Sequence, residues 1–336
     1  MKFTILDSWP PGFGASGRNA GFLIRGVAHN FAAAVDEYGA DAAAAMWAMS
    51  ELNQSMLADL GAQSLPSYRA LPSCLLALSD TEAEQLARSA ALMREAGIQC
   101  SLMDRGGDDV WKHMGTGPCT GTPFRPLLGL VNPSDGIVNP QELLAMLRRR
   151  ITPGALHSGA HATHISPGAV IGDGSVHVHV QGMDRPLSAS RVLVATNAYA
   201  PQLLPQLRGV VTANRAQMLS ARPSSGAAVH LDYSYYADFG DKYFRPGPGG
   251  ELLVGGCRRE FAASEATTDP HPTPQVQSAL GDFASAVAGR EMSATGAWAG
   301  TMGFSPDGLP LVGAVGTTGV PATGAHDESA AAEFDR

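Results

Sequence analysis

Residues 3–22 read Phe3-Thr-Ile5-Leu6-Asp7-Ser8-Trp9-Pro10-Pro11-Gly12-Phe13-Gly14-Ala15-Ser16-Gly17-Arg18-Asn19-Ala20-Gly21-Phe22. A short apolar run ends in an acid, and a glycine-rich loop follows. Phe3, Ile5 and Leu6 suit a strand buried on both faces of a parallel sheet, and Asp7 ends it where a carboxylate can accept hydrogen bonds from ribose hydroxyls. That is the order of the second strand of a dinucleotide-binding unit. The sequence is therefore expected to begin one strand late, without the phosphate-binding glycine turn of the first.

A second parse takes residues 2–7 as the first strand, because Gly12-x-Gly14-x-x-Gly17 satisfies GxGxxG. The fingerprint needs its first glycine in the tight turn leaving the strand, its third opening a helix, and an acid about 20 residues on at another strand end. Here Ser8-Trp9-Pro10-Pro11 intervenes, and Asp36 and Glu37 fall in alanine-rich helical sequence. This parse, which implies an intact NAD-binding protein, stays open as the lesser reading. Ser16 does not make a nucleophile elbow, since GxSxG fails at Arg18.

Further along, four segments carry a shared resemblance: Asp135-Gly136-x-Val-Asn139-Pro140, Val192-Leu-Val-Ala195-Thr196-Asn197, Tyr243-Phe-Arg245-Pro with Gly255-Gly256, and Trp298-Ala-Gly300-Thr-Met302-Gly303 with Asp307-Gly-Leu-Pro310. With the Asp7–Gly21 block they resemble, in the right order, the FAD-dependent amine and amino-acid oxidoreductases of the D-amino-acid oxidase superfamily. The wording is nearest the gamma-glutamylputrescine oxidoreductase and glycine/sarcosine oxidase branch. The resemblance implies a mixed α/β fold, an incomplete Rossmann-like FAD-binding domain (1–60, 132–204, 305–336) interleaved with an antiparallel-sheet substrate domain (61–131, 205–304).

It also implies a noncovalent FAD contacted by Asp7, Ser8, Ala15, Ser16, Arg18, Asn19, Ala20, Gly21, Ala162, Thr196 and Asp307. Tyr243, Arg245 and Met302 are expected to line the substrate pocket, and no catalytic residue is nominated. Relatives that act on small amino acids often place an arginine just after Trp-x-Gly; Met302 and Gly303 stand there, which points to an amine substrate. Residues 316–336 lack the family's closing glycine- and histidine-containing turn, so the sequence is expected to be truncated at both ends. A different class of reading is a non-catalytic remnant that keeps the fold without FAD.

Composition narrows the remaining classes. The chain has 336 residues, 44% of them hydrophobic and 16% charged, enough for a large core in two domains. A net charge of −8 argues against nucleic acid as a partner. No apolar run approaches a membrane span and no basic-then-apolar leader opens the chain, so a cytoplasmic location is expected. Cys74, Cys100, Cys119 and Cys257 have no metal or redox spacing and are expected to be free thiols. His157, His161, His164, His177 and His179 invite a metal site, but no carboxylate or cysteine completes a recognised set, and none is expected.

Several elements can be placed from pattern alone. Met46, Met49, Leu52, Met56 and Leu60 recur at helical spacing over residues 41–60, with Gly61 beyond. Ser79-Asp-Thr-Glu82 opens another helix, closed by Gly97, and Asn139-Pro140 opens a third running to Arg150. Residues 106–126 form an expected loop. Strands are expected at 74–78, 99–103, 162–165, 169–171, 176–180, 209–220, 233–245 and 251–256, with a helix from Thr273-Pro274 to Gly289 and a last strand pair; a further strand and turn over 192–199 is what the resemblance implies.

Overall fold

A computed structural model of the chain describes residues 2–103, 124–167, 175–226 and 228–315. The loop expected at 106–126, the strand at 169–171 and the tail at 316–336 lie largely or wholly outside the described residues. Two compact units emerge: residues 1–160 with 215–301, and residues 161–214 with 302–336.

The first unit opens with β1 (Ile5–Asp7), the single-turn α1 (Ala15–Arg18) and β2 (Phe22–Leu23). Helices α2 (Phe31–Tyr38) and α3 (Ala40–Asp59) follow, then β3 (Ser73–Ala77) and α4 (Asp80–Glu95). Next come β4 (Ser101–Met103), β5 (Leu128–Asn132), β6 (Gly136–Ile137), α5 (Pro140–Arg148) and β7 (Leu156–Ser158). The second unit holds β8 (Ala162–Pro167), β9 (Val176–Val180), β10 (Leu187–Ala189) and the short α6 (Ala200–Leu203). The chain then runs through β11 (Thr212–Pro223), β12 (Ser234–Ala237), β13 (Lys242–Pro246), β14 (Leu252–Gly256), α7 (Ala262–Glu265), α8 (Pro274–Ala288) and β15 (Met292–Phe304).

The large sheet has eight strands in the order β15-β11-β14-β13-β12-β3-β5-β4. Six of its pairings have a defined register, and all are antiparallel except β12 with β3, which run parallel. Strand β3 shows why it is central. Cys74 and Leu76 face a core built with Phe244, Val254, Leu280 and Phe283, while Leu75 and Ala77 face Phe31, Trp47, Leu86 and Met93. Alternation at a period of two thus buries both faces, one under α8 and the other under α2, α3 and α4.

Local chemistry sets the helix ends as the sequence predicts. The Ser79 hydroxyl accepts from Glu82 N at 3.2 Å, and Glu82 accepts from Leu78 N at 2.8 Å, a capping box shifted by one residue on its return arm. Asn139 caps α5 through Gln141 N at 2.9 Å, with Pro140 at the first helical position. Helix α8 stops at Gly289, whose φ of 63° needs no Cβ.

Three expectations change. The stretch expected as one strand at 233–245 is two, β12 and β13, paired antiparallel across a turn at 238–241. The last strand pair is one strand of 13 residues, β15. The strand expected at Val192–Thr196 does not form: residues 191–196 are irregular and Leu193 is 91% exposed. An apolar run becomes a strand only when a neighbour accepts and donates its ladder of hydrogen bonds, and among the described residues none does so here. Strand β1 has one neighbour among the described residues, β7, in parallel register from Ile5↔Leu156 to Asp7↔Ser158.

Candidate cofactor and substrate site

In the first unit, residues 12–22 are locked from several sides. Asn19 donates to Ala15 O (3.2 Å) and Ser16 O (2.9 Å) and accepts from Gly21 N (2.8 Å), so one side chain fastens the end of α1 to the bend after it. Gln141, on α5, donates to Gly12 O at 2.8 Å and Gly17 O at 2.9 Å. A Cβ on Gly17 would strike Gly12 O and the Gln141 amide, and one on Gly21, where φ is +74°, would strike Val138 O. Glycine at these positions is a packing requirement as well as a conformational one.

Arg18 and Trp298 clamp the other side of the loop. The Arg18 guanidinium lies 4.2 Å from the Phe13 ring centroid and donates to Ala299 O (3.1 Å) and Pro270 O (3.2 Å). Trp298 Nε1 donates to Arg18 O at 2.8 Å. A Cβ on Gly300 would sit 3.2 Å from Ala15 Cα, so the small residue of Trp298-x-Gly300 lets β15 approach α1 closely.

Beside Gly21 stands an aromatic wall. The Phe22 ring is 4.7 Å from Tyr236 and 6.1 Å from Tyr243, and the two tyrosine rings are 5.6 Å apart. Burial raises both phenols, Tyr243 to about 12 and Tyr236 further, so both are neutral donors at physiological pH. Arg245 is buried beneath the loop, donating to Ala20 O and, at 3.1 Å, to Pro246 O. Desolvation, reinforced by the Arg69 guanidinium, pulls it down to about 10. At the end of β1, Asp7 is half-buried and one carboxylate oxygen accepts from Trp9 N at 3.1 Å.

A cavity of about 590 Å³ in the same unit is lined by Leu23, Arg25, Glu51, Gln54 and Tyr68 among others. Its arginine is already engaged, with Glu51 at 3.0 Å and Gln99 O at 2.8 Å.

In the second unit, Ala162 begins β8 opposite Val180, and Thr196 precedes a turn of 3₁₀ helix at Asn197–Tyr199. Asn197 Oδ1 accepts from Gly303 N, next to half-buried Met302. Asp307 Oδ1 accepts from Leu309 N at 3.1 Å, closing the turn before Pro310. Among the described residues no three His, Cys, Asp or Glu side chains converge.

A family model described as FAD dependent oxidoreductase matches residues 1–328. The chain belongs to that FAD-dependent oxidoreductase family. No curated protein sequence is similar to it. Solved structures with the same fold include glycine oxidase from Geobacillus kaustophilus, at 18% identity and a TM-score of 0.69, covering 92% of this chain and 78% of that one. L-amino acid deaminase from Proteus vulgaris gives 13% identity and 0.63, covering 93% and 75%. Iminodiacetate oxidase from Chelativorans sp. BNC1 gives 19% and 0.61, covering 90% and 77%.

The residues present fit part of what this family's cofactor needs. Asp7, half-buried at a strand end, suits a ribose, and the rigid 12–22 backbone with its neutral phenols suits an uncharged ring. The diphosphate is different. Helix α1 is four residues long and opens at Gly14, so Gly12, Gly14 and Gly17 do not lead into a long helix, and β1 has a single neighbour among the described residues. The NAD-binding parse gains nothing from this geometry. Reading the sequence did not nominate Gln141, Phe22, Tyr236 or Trp298; for Gln141 the contacts cross from α5 to the loop, and the local signal is a polar side chain two residues past a strong cap.

Proposed function

We propose that this family member oxidises the C–N bond of a small amine or amino acid, with noncovalent FAD as the acceptor. FAD, when bound, takes a hydride from the carbon bearing the neutral amine. Asp7 holds the ribose, the backbone from Ala15 to Gly21 holds the ring system, and Ser8 adds a further contact. In the second unit, Ala162, Thr196 and Asp307 are the residues offered to the cofactor. Tyr236, Tyr243 and Phe22 exclude water and present phenol donors, and Arg245 keeps the Ala20 carbonyl in place from below. Met302 supplies apolar contact where a carboxylate-clamping arginine would otherwise stand, which favours amines over short amino acids.

The observation that carries this reading is the 12–22 loop itself. Asn19, Gln141, Arg18, Trp298 and Arg245 together hold a glycine-rich backbone rigid beside an aromatic wall. Such rigidity is what positioning a planar cofactor against a substrate demands. The experiment is to mix purified protein with FAD and follow flavin absorbance anaerobically as primary amines, polyamines and small amino acids are added. Bleaching by amines supports the proposal; a spectrum that no candidate alters counts against it.

A second reading, a fold that does not bind FAD, is favoured by β1's single described neighbour and by the irregular Val192–Thr196. Protein that remains colourless after reconstitution with excess FAD would establish it.

A further inference from the structure

Helix α3 is apolar on both sides. Ala43 and Trp47 are buried in the core with Phe31, Leu86 and Met93. The opposite side carries Ala45, Ala48, Met49, Leu52 and Met56, and Met49, Leu52 and Met56 are 71%, 60% and 56% exposed. At 100° per residue these five side chains fall on one stripe, bracketed by Asp41 and Asp59. Polar Glu51, Asn53 and Ser55 flank this stripe, and a contiguous exposed apolar stripe of this kind marks an interaction surface.

We propose that a second copy of this chain covers the stripe, its α3 packed antiparallel to the first across a two-fold axis between residues 50 and 51. The stripe is graded in size, with alanines towards its N-terminal end and Leu52 and Met56 towards the other. Only an antiparallel partner sets small against large: Ala45 meets Met56, and Met49 meets Leu52. Such alternation is what lets facing helices interdigitate. A parallel partner would place Met56 on Met56 and Asp41 on Asp41.

Charge agrees with the same register. Arg150 donates to Leu60 O at 2.6 Å, so a guanidinium sits at the C-terminal end of α3. Antiparallel packing brings Asp41 of the other copy to that end, where the Arg150 guanidinium offers it a cation. The opposed helix dipoles add to this. A two-fold interface must be self-complementary, and this face is. The contact from Ala45 to Met56 is only about 16 Å long at 1.5 Å per residue, so the association falls in the small, reversible class.

The test is sedimentation of the full chain from roughly 1 to 100 µM, a range that brackets a micromolar dissociation constant. The mass is expected to rise towards a dimer with concentration, and Leu52→Glu is expected to remain monomeric with unchanged circular dichroism and melting, since Leu52 is exposed. Register is read by cysteine pairs: Ala45→Cys with Met56→Cys should give an oxidised covalent dimer, whereas either substitution alone should not. A wild-type chain that stays monomeric throughout overturns the proposal, as does monomeric chain that binds phosphatidylcholine vesicles through this face. Single cysteines that cross-link as well as the pair overturn the antiparallel register.

Discussion

Single side chains decide how firmly the loop is held. Gln141 satisfies two carbonyls at once, Gly12 O and Gly17 O, through one amide nitrogen. Gln141→Leu keeps the bulk and removes both hydrogen bonds. The expected loss is about 1–3 kcal/mol, measured by urea unfolding, and a weaker FAD dissociation constant measured by flavin fluorescence. Glu82 offers a pH test. Burial raises its carboxyl above the usual 4.5, although Leu78 N and Phe239 N both donate to it. A raised folded value means that its contribution is fully present below 4.5 and is lost as pH rises through the folded value. The amide introduced by Glu82→Gln does not titrate, so wild type should gain on this variant most near pH 4 and lose that advantage towards neutrality. An advantage that grows over that interval, followed by urea unfolding at each pH, would contradict the burial assignment.

At the scale of elements, α5 links capping to the site. Its cap residue Asn139 accepts from Gln141 N, and Asn139 N donates to the Ser67 hydroxyl at 2.9 Å, so the helix start is tied on two sides. Asn139→Ala should lower stability by about 1 kcal/mol. Because Gln141 sits in the first turn, the same substitution should also weaken FAD binding, whereas an equally destabilising change such as Ile→Val in a distant core should not; titration of both variants distinguishes the two. The buried pair on β11 and α7 shows a different energetic logic. Arg215 donates to Glu265 through Nε at 2.9 Å and Nη2 at 2.7 Å, and both side chains are almost fully buried. Glu265→Ala leaves a buried guanidinium with one exposed carboxylate, Asp269, at 3.4 Å. About 3–5 kcal/mol should be lost, read as a shift of the denaturant midpoint.

For the whole molecule, the sequence determined the elements whose causes are local. The helix at 40–59 follows from periodicity and those at 80–95 and 140–148 from caps a few residues apart, and the strands at 73–77 and 252–256 from leucine-rich stretches between turn residues, whereas the run at 233–245 hid the turn that splits it into 234–237 and 242–246. The glycine loop was legible too, because Asp7, Asn19 and Gly21 act on backbone within their own segment. Pairing was not. Nothing in Ser73–Ala77 announces a parallel neighbour at Ser234–Ala237, and nothing in Val192–Thr196 announces that it stays irregular, because a strand's fate rests on hydrogen bonds supplied from far along the chain. Gln141, Trp298 and Arg245 reach the loop from 124 residues away or more, and only tertiary structure could bring their donors within hydrogen-bonding distance of its carbonyls. Short-range chemistry is written in neighbouring residues, whereas contacts made by closing long loops depend on the packing of everything between them.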